Sequence, residues 1–237
     1  MMKCPGQDER FWKPGDIFEI KCAECGKAVE FFKDEPTRKC PSCGRRVSNP
    51  HIDLGCAKWC LHGPQCLAAF GKDRTAVLCE QLTTRMKAEF SDDTRRIDHA
   101  LAVLNYADEI QQTEGGDPLV VKAAAILHDI GIQKAEQNYG SSAGKWQEIE
   151  GPPIARQIMA ALHIDEEIIE HVCRIVANHH SARDIDTTEF RIIWDADWLV
   201  NFPDEFADAP GDVAAEKIER IFKTETGRTM ARRFFVQ

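Results

Sequence analysis

The sequence predicts a mainly α-helical protein headed by a small cysteine-rich, metal-binding module. Three observations carry that prediction. Eight of the ten cysteines (Cys4, Cys22, Cys25, Cys40, Cys43, Cys56, Cys60 and Cys66) precede residue 67. From Asp73 onward apolar residues recur at three- and four-residue steps, the period of an amphipathic helix, with few strand-like alternations. Cap residues punctuate that periodic stretch where helices should begin and end. The boundary falls near Gly71, which gives a module over 1–70 and a helical domain over 71–237.

In the module, Cys22-Ala-Glu-Cys25 and Cys40-Pro-Ser-Cys43 are two C-x-x-C knuckles, each followed by glycine. Four thiolates so spaced can close a tetrahedral zinc site with no open position, a site that serves structure. Ala28 to Phe32 between them reads as a short strand, and the whole resembles a zinc ribbon. A redox role for a lone C-x-x-C fits poorly with two of them outside any βαβ pattern. The next group, Cys56, Cys60 and Cys66, is one ligand short. Cys4, or alternatively His51 or His62, could complete it for a second zinc or an iron-sulfur cluster, and free thiols in a small core are the plainer reading. Cys79 and Cys173 read as ordinary small buried residues.

The helical domain begins with caps at Ser91 to Asp93, ahead of a helix bearing Ile97, Leu101, Leu104 and Ile110. Asp117-Pro118 is a cap with proline in the first turn, and Gly131 is a stop, so a helix runs from about Pro118 to Ile130. Its centre is apolar nearly all round, which predicts a buried central helix. Gln133 to Glu150 is polar and contains glycine, so a surface loop is expected there. Helices should follow at about Pro153 to Leu162, Asp165 to His179, Thr188 to Val200 and Asp212 to Phe222, with a tail to Gln237 that docks or frays.

Composition limits the function. A hydrophobic fraction of 43% with 29% charged residues belongs to a soluble globular chain. No secretory signal and no apolar run long enough to span a bilayer is present, so a cytoplasmic protein without a membrane segment is expected. Of the net charge of −9, residues 1–70 carry +2 and the remainder −11. An acidic surface repels a phosphate backbone and makes nucleic acid an improbable partner, whereas a small phosphorylated substrate is accessible where a metal supplies the positive charge.

The residues that carry chemistry centre on His128-Asp129, where the apolar helix meets a glycine turn. An isolated histidine on such a helix is more often a hydrogen-bonded core residue. A carboxylate beside it at the edge of a core, however, needs a counter-charge, and a metal supplies one. His99 and Asp195 lie on neighbouring helices among apolar residues. Taken in order, these residues resemble the HD-domain superfamily of metal-dependent phosphohydrolases, whose pattern is H, HD, D. The resemblance covers roughly Arg96 to Val200 and includes Glu148-Ile-Glu-Gly151, Ile175 to His180 and Asp195-Ala-Asp197.

The resemblance implies an HD-type helical bundle whose metal ligands are His99, His128, Asp129 and Asp195, with Asp197 as the alternative to Asp195. Two imidazoles and two carboxylates suit one catalytic divalent ion such as manganese, iron, cobalt, nickel or magnesium. Relatives with two metals use a further histidine where this chain has Gln147, so a single ion is expected. His179 and His180 then bind phosphate or transfer protons, or form a solvated helix end. Lys134 is a candidate for neutralising phosphate, and Asp129 for positioning the nucleophile. The implied reaction is attack of metal-activated water on a phosphate ester. The rival readings are an inactive metal-binding sensor or adaptor whose module docks a protein partner, and an iron-dependent oxygenase.

Overall fold

The computed structural model describes residues 12–33, 35, 37–49, 74–206 and 210–236. The chain divides into two compact units, residues 1–72 and 73–237. Cys4, Cys56, Cys60 and Cys66, with the second metal group expected of them, lie outside the described residues.

In the first unit, β1 (Ile17–Lys21) pairs antiparallel with β2 (Ala28–Phe32), and β3 (Thr37–Lys39) with β4 (Arg46–Ser48). Each hairpin turns through one C-x-x-C knuckle. In both knuckles the glycine after the second cysteine has positive φ and donates its N–H to the carbonyl of the first: Gly26 to Cys22, and Gly44 to Cys40. The buried apolar cluster is Val29, Phe31, Cys22 and Cys40, with Phe18, Ile20 and Val47 packed on it. Among the described residues the apolar core is small, and a core of that size stabilises a fold weakly on its own.

The second unit is helical: α1 (Arg74–Phe90), α2 (Thr94–Glu114), α3 (Pro118–Leu127), α4 (Ile132–Tyr139), α5 (Gly144–Ala161), α6 (Glu166–Val176), α7 (Thr188–Phe206), α8 (Gly211–Ile221) and α9 (Glu225–Phe235). Asp93 caps α2 by accepting from Arg96 N, and Asp117 caps α3 by accepting from Leu119 N and Val120 N. Helix α3 is the hub. Eight of its ten residues are buried, and it packs against α1, α2, α6 and α7. Among the described residues no helix is long and apolar enough to cross a membrane.

The structure replaces the expected loop over 133–150 with α4, a short turn and the first two turns of α5. Helix α5 runs through Pro152 and Pro153 without breaking. Its inner face explains why a polar stretch folds: a Cβ on Gly151 would lie 2.7 Å from Val176 Cγ1, and one on Gly131 would lie 2.4 Å from Gly151 N. Two glycines thus let α5 press its backbone against the turn after α3, and that closeness holds the helix in place. The tail docks as α9, with Met230 and Ala231 buried.

Candidate metal centres

Each histidine of the helical unit's site is oriented by local helix geometry. His128 follows the last residue of α3, and its Nδ1 donates to Ala125 O at 2.8 Å. His179, after the end of α6, repeats the device with Val176 O at 2.7 Å. A ring whose Nδ1–H is spent on a carbonyl turns Nε2 inward, the atom a metal binds once any proton on it has left. His99 comes from the second turn of α2 and Asp197 from the middle of α7. One turn on, Asn201 Nδ2 donates to Asp197 Oδ1 at 2.8 Å and holds that carboxylate.

These atoms converge. His99 Nε2 lies 3.2 Å from His128 Nε2, 3.1 Å from Asp197 Oδ1 and 3.6 Å from Asp129 Oδ2. His128 Nε2 lies 3.5 Å from Asp129 Oδ2 and 3.7 Å from Asp197 Oδ1. Ligands bound at about 2.0–2.2 Å stand roughly 3.0–3.5 Å apart, so the donor set fits a single divalent ion. Asp129 also faces a second group: its Oδ1 is 3.4 Å from His179 Nε2, and His180 completes a trio whose ligand atoms lie within 4.8 Å of one another.

Charge in the ion-free cluster is balanced by proton sharing. Burial opposes a charged His128, which is 1% exposed, yet Asp129 and Asp197 prevail and raise its pKa to about 9. Burial would raise Asp129, but His128 and His179 hold it well below the usual carboxylate range. Asp197 is likewise lowered against burial, chiefly by His99.

Asp195 is corrected by the structure. It is 0% exposed and turned away from the histidines. Its Oδ1 accepts from Lys223 N, and its Oδ2 accepts from Thr224 N and Thr224 Oγ1, each at 2.7 Å. Residues two apart on a helix point about 200° apart, so only one of the pair can face the histidines, and that one is Asp197. Asp195 instead anchors the cap of α9, where Gly227 leaves it room: a Cβ there would sit 2.3 Å from Asp195 Oδ2. Lys134 is exposed on α4 and joins neither group.

Three residues that support the two groups were given no such role by the sequence. Asn201 carries an i, i+4 signal from Asp197. Glu148 Oε1 accepts from His180 N and Ser181 N at 3.1 and 2.7 Å and fixes the turn that bears the two histidines. Gln147, noted only as a missing histidine, is 5% exposed, and its amide donates to Ser142 O at 2.7 Å.

In the first unit, Cys22, Cys25, Cys40 and Cys43 form a four-thiol group. Cys22 Sγ is 3.6 Å from Cys43 Sγ, and Cys25 Sγ is 3.5 Å from Cys40 Sγ. A tetrahedron with metal–sulfur bonds of about 2.3 Å has edges of roughly 3.8 Å, so these two pairs need spread only slightly to hold an ion. The knuckle N–H groups of Cys43 and Ser42 pull Cys40 down to about 6, and those of Cys25 and Glu24 lower Cys22. Both shifts favour the thiolate that binds metal.

No curated protein and no solved structure matches the chain. A family model does, over residues 96–201, and this span contains His99, His128, Asp129, His179, His180 and Asp197. Residues 96–201 of this protein are an HD domain.

Proposed function

We propose that the helical unit is a metal-dependent phosphohydrolase acting on a small phosphate ester, of the nucleotide class or a related one. The observation that carries this reading is the convergence of His99, His128, Asp129 and Asp197 inside an HD domain. Those four residues would hold the ion, which when bound supplies a water of lowered pKa and polarises a phosphoryl oxygen. The chain does the rest. His128 and His179 aim their Nε2 atoms inward through their Nδ1–H bonds. Asp129, held ionised by its histidine neighbours, can accept and orient the proton of a nucleophilic water. His179 Nε2, 3.4 Å from Asp129 Oδ1, can receive the proton that Asp129 takes from the water, and the exposed His180 is open to phosphate oxygens. Lys134, exposed and outside both groups, has no part in this reading.

One ion in this centre is the reading adopted, because Gln147 adds no imidazole to the second trio. One observation favours a two-ion alternative: Asp129 turns Oδ2 to His99 and His128 and Oδ1 to His179, as a bridging carboxylate would. For the first unit we propose zinc at Cys22, Cys25, Cys40 and Cys43, a structural site without an open position.

Elemental analysis of purified wild type and of His128→Ala/Asp129→Ala tests the reading, together with a screen of phosphate esters. The expected outcome is one ion lost in the variant, zinc retained, and phosphatase turnover abolished. Unchanged metal content in the variant removes the catalytic centre. Loss of two ions selects the bridged alternative.

A further inference from the structure

Helix α5 begins without a cap. Its N-cap residue is Ala143, which offers no side-chain oxygen, and Ser141 Oγ is spent on Ala143 N. Among the described residues the N–H groups of Gly144 and Lys145 meet no acceptor. An 18-residue helix therefore directs its positive end and free donors outward. Gln147 in the same first turn is buried, and its side chain runs back toward the helix start, where Nε2 donates to Ser142 O. That bond fixes the orientation of the amide and leaves Oε1 a buried acceptor with no partner. Such an atom is costly unless a ligand or water completes it.

The turn also touches the HD site. A Cβ on Gly144 would lie 2.6 Å from the His180 ring, so the helix start sits against a histidine of the Asp129, His179 and His180 group. Lys145 adds a cation at this end, its Nζ 4.5 Å from the Trp146 ring centre.

We infer that the start of α5 is a binding subsite for a phosphorylated, hydroxyl-bearing ligand: the Gly144 and Lys145 amides take an oxyanion and Gln147 Oε1 takes a hydroxyl proton. The inference rests on the phosphohydrolase reading and narrows its substrate to a class such as sugar phosphates and nucleotides. Helix starts bind phosphate through this combination of free amides and dipole. The hydroxyl accounts for the acceptor, which an oxyanion alone would repel.

The test uses the full chain, 15N-labelled and loaded with diamagnetic magnesium, titrated separately with inorganic phosphate and ribose 5-phosphate. Saturable amide shifts at Gly144 and Lys145 are expected with both. Ala143→Asp installs a preferred cap whose carboxylate occupies the same amides, so the fold is kept or strengthened while affinity at those amides falls about tenfold or more. Ala143→Asn, a neutral cap, should fall between. Gln147→Leu should remove any preference for ribose 5-phosphate over inorganic phosphate. Silent Gly144 and Lys145 amides, or unchanged affinity in Ala143→Asp, would overturn the oxyanion subsite. A preference surviving in Gln147→Leu would overturn the hydroxyl contact. Metal retained by His128→Ala/Asp129→Ala would sink the phosphohydrolase reading without moving these amide shifts, so the two can fail separately.

Discussion

The two metal-site groups of this protein are built on opposite principles. In the hairpin unit, four thiols come from two copies of one local motif, each knuckle held by its own backbone N–H groups. In the helical unit, the donors come from α2, the turn after α3, the turn after α6, and α7, which only the folded bundle brings together. Among the described residues, two of the four buried core residues around the thiols belong to the thiol group itself, Cys22 and Cys40. The helical core, by contrast, runs from Leu78 to Ala231 across many elements, and the His/Asp donors are set into it, His128 and His179 buried and His99, Asp129 and Asp197 half-buried. The first site should make its fold, and the second should be made by its fold.

The sharpest way to break that contrast is to remove each site. Apparent binding energies for structural zinc are on the order of 10–16 kcal/mol, more than the small core of the described hairpins supplies. Cys22→Ser/Cys40→Ser, or a strong chelator, should therefore collapse the amide spectrum of the hairpin residues and leave the helical unit's spectrum in place. Hairpins that persist without metal would end the claim that the site makes the fold.

His128→Ala should do the reverse. Helical content and the hairpin signals should stay, while affinity for the catalytic ion falls by more than the 10–100-fold that losing a supporting contact costs. Turnover should fall with it. Circular dichroism alongside metal titration reads both, and loss of helical structure on this single change would place the ion among the determinants of the fold.

Asp195 and Asp197 carry the contrast inside one helix. Asp197→Ala should release the ion and leave the thermal midpoint of the metal-free protein nearly unchanged. Asp195→Ala should leave metal content intact and strand the donors of Lys223 N, Thr224 N and Thr224 Oγ1. At roughly 1–3 kcal/mol for each buried group left unpaired, it should lose on the order of 3 kcal/mol. That corresponds to a fall in Tm of several degrees for a unit of this size. An exchange of these two outcomes would restore Asp195 as the ligand.

This pair marks the limit of what the sequence made legible. The knuckles, the buried helix α3 and the histidines at its end and on α2 could be read because caps, apolar period and spacing are local signals. The aspartates could not be told apart. Both sit in the same apolar run, Ile192 to Leu199, and the side on which α7 meets its neighbours is decided partly by the start of α9, some 28 residues away. Helix α5 was hidden for a related reason. Glu148 reaches across to grip the turn of His179 and His180 while Gln147 turns inward onto Ser142, so both look like loop composition until those partners are in view. Lys134 followed the resemblance rather than any local signal, and it stands outside the groups.

The smallest effect expected is a slope with pH. In the ion-free cluster His128 carries a proton up to about pH 9, because Asp129 and Asp197 outweigh the burial that opposes its charge. A metal must displace that proton, whereas Asp129 and Asp197, both lowered, are already ionised at neutral pH. Apparent affinity for the catalytic ion should thus rise by about tenfold per pH unit from pH 6 to 8 and level off near 9. Affinity at the thiol site should also rise with pH, with Cys40, lowered to about 6, the first of its thiols to ionise. Calorimetric titration of manganese in buffers of different ionisation enthalpy counts the protons released. One proton per ion at pH 7 matches the cluster as described, and none would mean that His128 is already neutral and that the carboxylates do not hold its charge.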